Sequence, residues 1–381
     1  MKILVLGAGR MGLGAAYDLA HNSPEVQAVT VADIDLERAR AVVATVGSER
    51  LSPARVDVND TAQVSALMRG HDAVISCVTY YHNLQLARAA IEARANFCDL
   101  GGNNTVVASE LALDAEARAA GINIIPDCGL APGMVSVLAA HGVARFDELE
   151  AIHIRVGGLP QAPRPPLNYQ IVFSVEGLIN EYVERARVIR GGQIVEVESL
   201  TEIEALEFPA PFGRMEAFQT SGGTSTLPDT FYGRLQELDY KTIRYPGHCE
   251  QFKLFVDLGL AASEEIDLDG VRVRPRRLLG ELLLRHLPAD EPDVVLVRLA
   301  FRGRTAGQDA RLRYDIIDRF DERTGLSAMM RTTAFPASIV AQMMARGETT
   351  RRGALPQELV IPPDKFVAAL AARDIRINEY H

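Results

Sequence analysis

The sequence contains no tryptophan, and only four of its 381 residues are cysteines. These cysteines (Cys77, Cys98, Cys128 and Cys249) are widely spaced and form no C-x-x-C pair, so the spacing of a zinc site or of a disulfide framework is absent. We therefore expect no metal site. We also expect reduced thiols in a cytoplasmic protein, where they pack as small apolar side chains.

Runs of positive charge and long apolar runs are also missing. The formal net charge is −10, and no basic segment is interleaved with aromatic residues, so we expect no nucleic-acid partner. No apolar stretch has the length of a membrane span, and nothing before the first strand resembles a secretory signal. A globular enzyme remains, and 381 residues are enough for two domains.

The beginning of the chain carries a glycine-rich turn between an apolar strand and a helix. The strand covers residues 3–6, and the turn reads Gly7-Ala8-Gly9-Arg10-Met11-Gly12. In this G-x-G-x-x-G pattern the first glycine allows the tight turn. The second lets the backbone approach a pyrophosphate, and the third lets the helix pack near the sheet. The free N–H groups that open the helix then face the phosphates, which predicts a dinucleotide site.

An acid at the end of the second strand indicates which dinucleotide binds. Asp33 follows residues 29–32, about 20 residues after the last glycine. A carboxylate there accepts hydrogen bonds from both ribose hydroxyls of NAD and repels the 2′-phosphate of NADP, so NAD is the predicted cofactor. Arg38 and Arg40 nearby leave NADP open as the alternative.

Alternation of strands and helices continues after Asp33 and predicts a doubly wound parallel α/β sheet. Its strands cover residues 3–6, 29–32, 52–58, 72–78, 95–100 and 122–127, and one helix is predicted over 106–120. The later strand candidates predict a second α+β domain with a mixed, mostly antiparallel sheet; they include 149–157, 239–244, 294–302, 311–320 and 326–332. We expect an NAD-binding domain over 1–130, with C-terminal helices of about 333–381 packed on it, and a substrate domain over 131–332.

Ligands of such sheets bind beyond the carboxyl ends of the strands. Three peptides occupy those positions in addition to the glycine turn. The candidate contacts for the cofactor are Cys77, Val78 and Thr79 at the end of the fourth strand and Asp99, Gly101 and Gly102 at the end of the fifth. Tyr80, past the fourth strand, and Asp127, at the end of the sixth, are candidates for catalysis.

Several longer blocks resemble the saccharopine dehydrogenase-like family, and within it the lysine 6-dehydrogenases. The resemblance extends over the whole chain. The blocks are residues 99–103 (DLGGN), 129–134 (GLAPGM), 156–160 (VGGLP), 166–169 (PLNY), 174–182 (SVEGLINEY), 221–228 (SGGTSTLP) and 241–248 (KTIRYPGH). The resemblance implies an NAD-linked enzyme that oxidises the ε-amine carbon of L-lysine. The product would be 2-aminoadipate 6-semialdehyde, which cyclises to piperideine-6-carboxylate, together with ammonia and NADH.

That chemistry needs a cation for the substrate carboxylate and a general base for the ammonium. Arg244 precedes a Tyr-Pro-Gly turn, and in related enzymes the arginine of this turn holds a substrate carboxylate; a surface ion pair is the alternative. Asp127, Tyr80 and His248 compete for the role of base. Asp127 ends the sixth strand, Tyr80 occupies the position of an active-site tyrosine in saccharopine reductases, and His248 has a suitable ordinary pKa.

Other candidates for substrate binding come from the matching blocks. Glu176 is expected to bind the substrate ammonium or to remain a solvated carboxylate. Asn168, Tyr169, Thr224 and Thr226 are polar loop residues that would contact substrate or only form turns.

Three other functions compete with lysine oxidation. A saccharopine reductase or carboxynorspermidine dehydrogenase would act on a secondary amine, but a substrate with two carboxylates needs two cations and only Arg244 stands out. A sugar oxidoreductase with this first domain usually has Glu-Lys-Pro after the fifth strand, where residues 98–102 contain no lysine. A non-catalytic NAD-binding sensor would not need so many polar residues at strand ends.

The resemblance to the saccharopine dehydrogenase-like family also implies a homo-oligomer, a dimer or larger.

Overall fold

Strands and helices cover most of the chain in the computed structural model, which describes residues 1–381. The strands are β1 Lys2–Leu6, β2 Ala28–Asp33, β3 Leu51–Arg55, β4 Ala73–Ser76, β5 Asn96–Asp99, β6 Asn123–Ile125, β7 Glu148–Pro160, β8 Ala186–Arg190, β9 Gln193–Val197, β10 Glu204–Phe208, β11 Gly213–Gln219, β12 Glu237–Arg244, β13 Ile266–Leu268, β14 Val271–Val273, β15 Asp293–Thr305, β16 Gln308–Arg319, β17 Gly353–Ala354 and β18 Asn378–Tyr380.

The helices lie between these strands and after them. They are α1 Arg10–His21, α2 Leu36–Val46, α3 Thr61–Met68, α4 Asn83–Ala93, α5 Asn104–Leu111, α6 Asp114–Ala120, α7 Met134–Val143, α8 Val175–Val183, α9 Leu227–Phe231, α10 His248–Asp257, α11 Pro275–His286, α12 Ala328–Arg346, α13 Gln357–Val360 and α14 Pro363–Ala371, with a single 3₁₀ turn over Tyr80–His82.

The chain forms two compact units. The first unit consists of Met1–Arg145, Ser225–Leu227 and Met330–Ile377, and the second of Phe146–Thr224, Pro228–Met329 and Asn378–His381. The first unit contains a seven-stranded sheet in the order β17-β6-β5-β4-β1-β2-β3. All its neighbouring strands are parallel, as predicted for a doubly wound fold.

Local sequence signals explain why the first unit folds in this way. All four residues of β4 are buried, as expected for a parallel strand covered on both faces. Side chains cap the helices that follow the strands: Asp35 Oδ1 accepts from Glu37 N at 2.9 Å, and Asp60 Oδ1 accepts from Gln63 N at 3.0 Å. These caps satisfy backbone donors at the edge of the sheet where ligands bind in such folds.

The second unit contains a mixed sheet. Its main path is β10-β11-β12-β7-β15-β16-β18, with β8 paired to β12 and β9 paired to β8. Only the β7–β12 pair is parallel; the remaining pairs are antiparallel. The prediction of a mixed, mostly antiparallel sheet is therefore confirmed. A core cluster that includes Leu159, Met215, Ile243 and Leu296 packs on this sheet and holds the end of β12 in place.

Two local predictions were wrong. Residues 326–332, predicted as a strand, contain the beginning of α12, whose first N–H groups are capped from β15: Asp293 accepts from Ala328 N at 2.6 Å and from Met329 N at 2.9 Å. A cap supplied by a residue so far away in the chain leaves no local signal. The predicted helix over 106–120 is two helices, α5 and α6.

The structure contains neither a helix that could span a membrane nor a cluster of side chains that could hold a metal ion. None of its helices combines the length and apolar character needed to cross a bilayer. No group of three or more His, Cys, Asp or Glu side chains is arranged to hold a metal ion.

Candidate active site

The glycine turn after β1 leaves no room for side chains on the inside. Gly7 has φ +98°, and a Cβ on it would lie 2.9 Å from Cys77 O. A Cβ on Gly12 would lie 1.8 Å from Gly7 O, so α1 could not approach the turn with any larger residue. These two glycines are required by close packing of backbone on backbone.

Gly9 shows the opposite geometry. A Cβ built on it meets no atom within 4 Å, so this side of the turn faces open space. Gly9 is also the N-cap of α1, and no side chain caps that helix. The exposed Arg10 and the half-buried Met11 follow it. Open space beside uncapped helix N–H groups fits the pyrophosphate of a dinucleotide.

Asp33 is fixed to the same turn. Its Oδ2 accepts from Ala8 N at 2.7 Å, and its Oδ1 accepts from Asp35 N at 2.9 Å. A carboxylate oxygen accepts more than one hydrogen bond, so both oxygens retain capacity for ribose hydroxyls. Arg38 and Arg40 face acids on their own helix and are exposed: Arg38 lies 3.7 Å from Asp35, and Arg40 lies 2.7 Å from Glu37.

The peptide after β4 supports the turn from the other side. Cys77 N donates to Leu6 O at 2.7 Å, which continues the β1–β4 pairing and holds Cys77 O against Gly7. Burial raises the pKa of the Cys77 thiol far above its ordinary value, so this residue packs as an uncharged side chain. Val78 is half-buried and Thr79 exposed.

The loops after β4 and β5 are in contact. Gly102 has φ +129°, and a Cβ on it would lie 2.9 Å from Tyr80 Cδ1, so the Tyr80 ring packs on this glycine. Gly101 has φ +76°, and its N donates to Asp99 Oδ1 at 2.6 Å. A Cβ on Gly101 would lie 2.0 Å from Asp127 Oδ1. Tyr80, Asp99, both glycines and Asp127 are therefore brought together.

Asp99 and Glu110 form a buried carboxyl pair behind these loops. Both residues are fully buried, and Asp99 Oδ2 and both Glu110 oxygens have no hydrogen-bonding partner. Burial and then the Asp99 charge raise the pKa of Glu110 far above its ordinary range. Glu110 is therefore protonated and uncharged at neutral pH.

Asp127 is the neighbour of this pair. It is 5% exposed and has φ +62°, an unusual conformation for a residue other than glycine. Its Oδ2 accepts a hydrogen bond from Ser225 Oγ, and its carbonyl oxygen accepts from Gln357 Nε2. Burial, followed by the charge of Asp99, raises the pKa of Asp127 to about 8, against the opposing effect of the Ser225 hydrogen bond. A carboxyl with this pKa exchanges protons at mildly alkaline pH.

Arg244, at the end of β12, is a buried cation without a carboxylate partner. It is 2% exposed; its Nε donates to Tyr182 OH at 2.9 Å, and its Nη1 donates to Ile243 O at 2.9 Å. The guanidinium carbon lies 4.8 Å from the centre of the Tyr169 ring. No carboxylate lies within ion-pairing distance, and Nη2 donates no hydrogen bond. Because an unpaired buried charge is costly, this arrangement fits an anionic ligand.

His248 supports Arg244 through Tyr182. Tyr182 OH lies 3.0 Å from His248 Nε2, and His248 Nδ1 lies 2.9 Å from Leu167 O. Because Leu167 O only accepts, Nδ1 carries the proton and Nε2 accepts from Tyr182. Burial and then the Arg244 charge lower the pKa of His248 to about 3. His248 is therefore neutral, and both of its ring nitrogens are occupied.

Glu176, Asn168, Thr224 and Thr226, the other candidates for substrate binding, form no hydrogen bond with Arg244. Glu176 is exposed on α8, and Asn168 is half-buried with φ +48°. Thr224 Oγ1 donates to Arg187 O at 3.0 Å. In the first unit, Thr226 Oγ1 donates to Glu358 Oε1 at 2.8 Å.

Two residues outside the predicted site set belong to the surroundings of Arg244. Tyr182 is 1% exposed, and Glu181 precedes it on α8. The sequence signal for Tyr182 is its position on the apolar face of α8, together with Val175, Leu178 and Ile179. A tyrosine buried on such a face needs a hydrogen-bonding partner for its hydroxyl group. Ser225, which binds Asp127, has no comparable signal.

Comparisons with known proteins agree with this architecture. The family model for the saccharopine dehydrogenase NADP binding domain matches residues 3–125. The model for the saccharopine dehydrogenase C-terminal domain matches residues 129–375. The chain belongs to the saccharopine dehydrogenase family.

Curated relatives within this family differ in length. The chain is 27% identical over 306 residues to saccharopine dehydrogenase [NADP(+), L-glutamate-forming] of Pyricularia oryzae, an alignment that covers 77% of this chain and 65% of the relative. It is 22% identical over 423 residues to the mitochondrial alpha-aminoadipic semialdehyde synthase of Mus musculus. That alignment covers 92% of this chain and 45% of the relative. The chain thus spans about half to two thirds of these relatives. Carboxynorspermidine synthase of Vibrio cholerae is 22% identical to this chain over 411 residues. That alignment covers 97% of this chain and 94% of the relative.

Solved structures share the fold. The saccharopine dehydrogenase (L-Glu forming) of Saccharomyces cerevisiae matches with a TM-score of 0.80 at 20% identity, covering 100% of this chain and 99% of that one. The homospermidine synthase of Legionella pneumophila, solved with NAD, matches with a TM-score of 0.67 at 12% identity. The match covers 100% of this chain and 91% of that one. At these identities the likeness establishes the fold only.

Proposed function

We propose that this protein oxidises the ε-amine carbon of L-lysine with NAD. In the balanced reaction, lysine, NAD⁺ and water give 2-aminoadipate 6-semialdehyde, ammonium, NADH and a proton. The observation that carries the proposal is the buried Arg244 guanidinium, whose Nη2 is free to donate to a carboxylate. Family membership supports an oxidoreductase that acts on an amine.

The charges of the second unit favour a substrate with one carboxylate. Its buried cations are Arg155, Lys241 and Arg244. Arg155 donates to Asp239 at 2.8 Å, and Lys241 donates to Glu204 at 2.9 Å, so both are compensated within the protein. Only Arg244 remains to bind an anion.

The residues of the first unit fit the dinucleotide that this reaction needs. The open space beside Gly9 would admit the pyrophosphate, and the Asp33 carboxylate at the same turn would accept from the ribose. When bound, NAD supplies the acceptor for the hydride that leaves the amine carbon. Asp33 would orient it by accepting hydrogen bonds from the ribose hydroxyls.

Asp127 is our candidate for the general base, ahead of Tyr80 and His248. A base must take a proton from the ammonium before hydride can leave, and it works best with a pKa near the working pH. Asp127, with its pKa near 8, meets this requirement. The His248 nitrogens are already occupied, which makes this residue a support for Tyr182 and Arg244.

A second candidate substrate is a secondary amine. It is favoured by the relatives named carboxynorspermidine synthase, because the alignment covers 94% of their length. The single uncompensated cation limits this alternative to substrates with one anchored carboxylate.

Lysine labelled with ¹⁵N at one nitrogen at a time tests the proposed reaction. We expect NADH formation to release the ε-label as ammonia and to leave piperideine-6-carboxylate, because the proposed reaction oxidises Cε. Activity should rise with pH, because the free amine reacts and an ordinary lysine amine has a pKa of about 10. Release of the α-label would contradict oxidation at Cε.

A screen of substrates completes this test. We would measure NAD reduction with lysine, ornithine, saccharopine, 2-aminoadipate and carboxynorspermidine. Faster turnover of saccharopine or carboxynorspermidine would favour the secondary-amine alternative. No reduction with any amine would favour an NAD-binding sensor.

Replacing Asp33 by serine should weaken NAD binding and narrow the preference for NAD over NADP. Serine removes the negative charge that repels a 2′-phosphate and one of the two ribose acceptors. The measurement is kcat/KM for both dinucleotides at saturating amine, with Asp35→Ser as a neighbouring control. A wild-type protein that uses NADP better than NAD would show that Asp33 does not select the ribose.

A further inference from the structure

Residues 266–273 form a two-stranded hairpin that stands apart from the mixed sheet of the second unit. β13 and β14 pair antiparallel with each other and form a separate two-stranded sheet. Seven of these eight residues are exposed, and Val273 is half-buried. We call this hairpin the arm. Because an isolated two-stranded hairpin is only marginally stable in water, such an arm needs a surface on which to pack.

One face of the arm is entirely apolar. Ile266 pairs with Val273, and Leu268 pairs with Val271. Directly opposed residues of an antiparallel pair point to the same face, so these four side chains form one surface. Ile266 is 52% exposed, and Leu268 and Val271 are each 60% exposed. The pair between them is an aspartate with an arginine and lies on the opposite face. The arm is therefore amphipathic, and its apolar face is open to solvent.

The helices on both sides of the arm expose leucines as well. α10 precedes the arm and α11 follows it, and Arg276 N in α11 donates to Ala262 O at 3.0 Å, which joins the two flanks of the arm. Leu278 and Leu282 lie one turn apart on α11 and are 46% and 44% exposed. Leu258, the C-cap of α10, is 68% exposed. The apolar surface thus extends from the arm to its flanks.

This surface is large for a single chain. At the exposed fractions given above, its leucine, isoleucine and valine residues present on the order of 600 Å² of accessible surface, the upper end of what monomers leave uncovered in one patch. A standard interface buries about 800 Å² on each partner, with an apolar centre and a polar rim. Together with the charged residues around it, the surface has the size and composition of one side of such an interface.

The charges of this region indicate which partner fits. Residues 264–270 contain four acids and no base, whereas residues 272–277 contain four arginines and no acid. Glu264, Asp269 and Arg277 are exposed, and none of them forms an ion pair within the chain. A second copy of the chain presents the same acidic and basic segments. A two-fold arrangement therefore brings the acidic segment of each copy to the basic segment of the other.

We propose that the arm packs on α11 of a second copy of this chain and that this contact occurs twice in a two-fold dimer. In such a pair the apolar face of each arm covers Leu278 and Leu282 of the other copy. β13 then runs beside the arginines at the beginning of α11. The inference concerns assembly and does not depend on which amine the protein oxidises.

The experiment determines the mass of the full-length protein by sedimentation over a wide range of concentrations. We expect the wild type to have twice the mass of one chain, which is 41.5 kDa. The double variant Leu268→Lys/Val271→Lys places cations on the apolar face, where they would meet the arginines of the partner. It should raise the dissociation constant of the dimer by about 10²- to 10³-fold, as expected for two central contacts that each occur twice. Arg277→Glu should weaken the dimer from the other side of the contact.

Ile203→Lys is the matched control. Ile203 is 48% exposed in the same unit and lies outside the arm and its flanks, so this variant should remain a dimer. Hydrogen exchange then locates the interface. The amides of residues 266–273 should exchange more slowly in the wild-type dimer than after dilution or in the arm variant. Thermal unfolding of each variant identifies any loss of fold.

Three outcomes would overturn the inference. A wild type that stays monomeric at every concentration would show that a different partner covers the arm. A dimer that persists in both the arm variant and Arg277→Glu, or an arm whose exchange is independent of concentration, would place the interface elsewhere. Dissociation of Ile203→Lys to the same extent as the arm variant would show that added charge on any exposed apolar residue weakens the assembly.

Discussion

Replacing Arg244 by lysine is expected to lower kcat/KM for the amino-acid substrate by about 10²- to 10³-fold. Removing one partner of a buried, hydrogen-bonded charge pair costs about 3–4 kcal/mol, which corresponds to that factor. Lysine keeps the positive charge, but it lacks the planar group that donates to Tyr182 OH and Ile243 O while leaving Nη2 for the ligand. The loss should appear chiefly as a higher KM.

Cofactor binding provides the internal control for this variant. The affinity for NADH, measured by its fluorescence, should stay close to the wild-type value, because Arg244 belongs to the second unit. Arg298→Lys is the matched control, since Arg298 already pairs with Asp315 at 2.8 and 2.9 Å within the same unit. Normal lysine kinetics in Arg244→Lys would remove Arg244 from the site.

The nucleotide-binding part of the fold could be predicted because its signals are local. The glycine turn, the strand before it and Asp33 lie within one stretch of 33 residues, and the structure joins them by short-range packing and by the bond from Ala8 N to Asp33. Gly7 and Gly12 are required by backbone contacts, and Gly9 borders the open space that the motif leaves for a pyrophosphate.

The surroundings of Arg244 could be predicted only in part, because distant parts of the chain build them. Tyr182 reaches Arg244 across 62 residues, and His248 reaches Tyr182 across 66. The sequence places His248 beside the arginine turn but does not show its burial, and burial changes its chemistry. An ordinary histidine exchanges protons near neutrality, whereas the burial that lowers the pKa of His248 makes it a neutral hydrogen-bonding support.

The same limit applies to the carboxyls of the first unit. Asp127 and Asp99 were recognisable from their positions after predicted strands. The electrostatic interaction of Glu110 with them could not be predicted. Glu110 lies on α5, and the sequence predicts α5 and α6 as one continuous helix. Burial, and after it the charge of Asp99, raises the pKa of Asp127 to about 8.

Asp127→Asn is expected to lower kcat by about 10²- to 10⁴-fold, the usual contribution of a general base. Asparagine has nearly the same shape and can still accept from Ser225, so the fold and the affinity for NADH should be retained. KM for lysine should change little, because Arg244 supplies the anchor. Tyr80→Phe and His248→Asn test the competing bases. A larger loss of kcat in Tyr80→Phe than in Asp127→Asn would assign the proton transfer to Tyr80.

Ser225→Ala gives a test that does not remove the carboxylate. The Ser225 hydrogen bond lowers the pKa of Asp127, so its loss should raise that pKa above about 8. A base acts in its ionised form, and the kcat profile of the wild type should therefore rise through about pH 8. The rise should move to higher pH in Ser225→Ala, with slower turnover at pH 8 and near-normal turnover at higher pH. A kcat profile that stays in place, or that falls equally at every pH, would show that the ionisation of Asp127 does not control proton transfer.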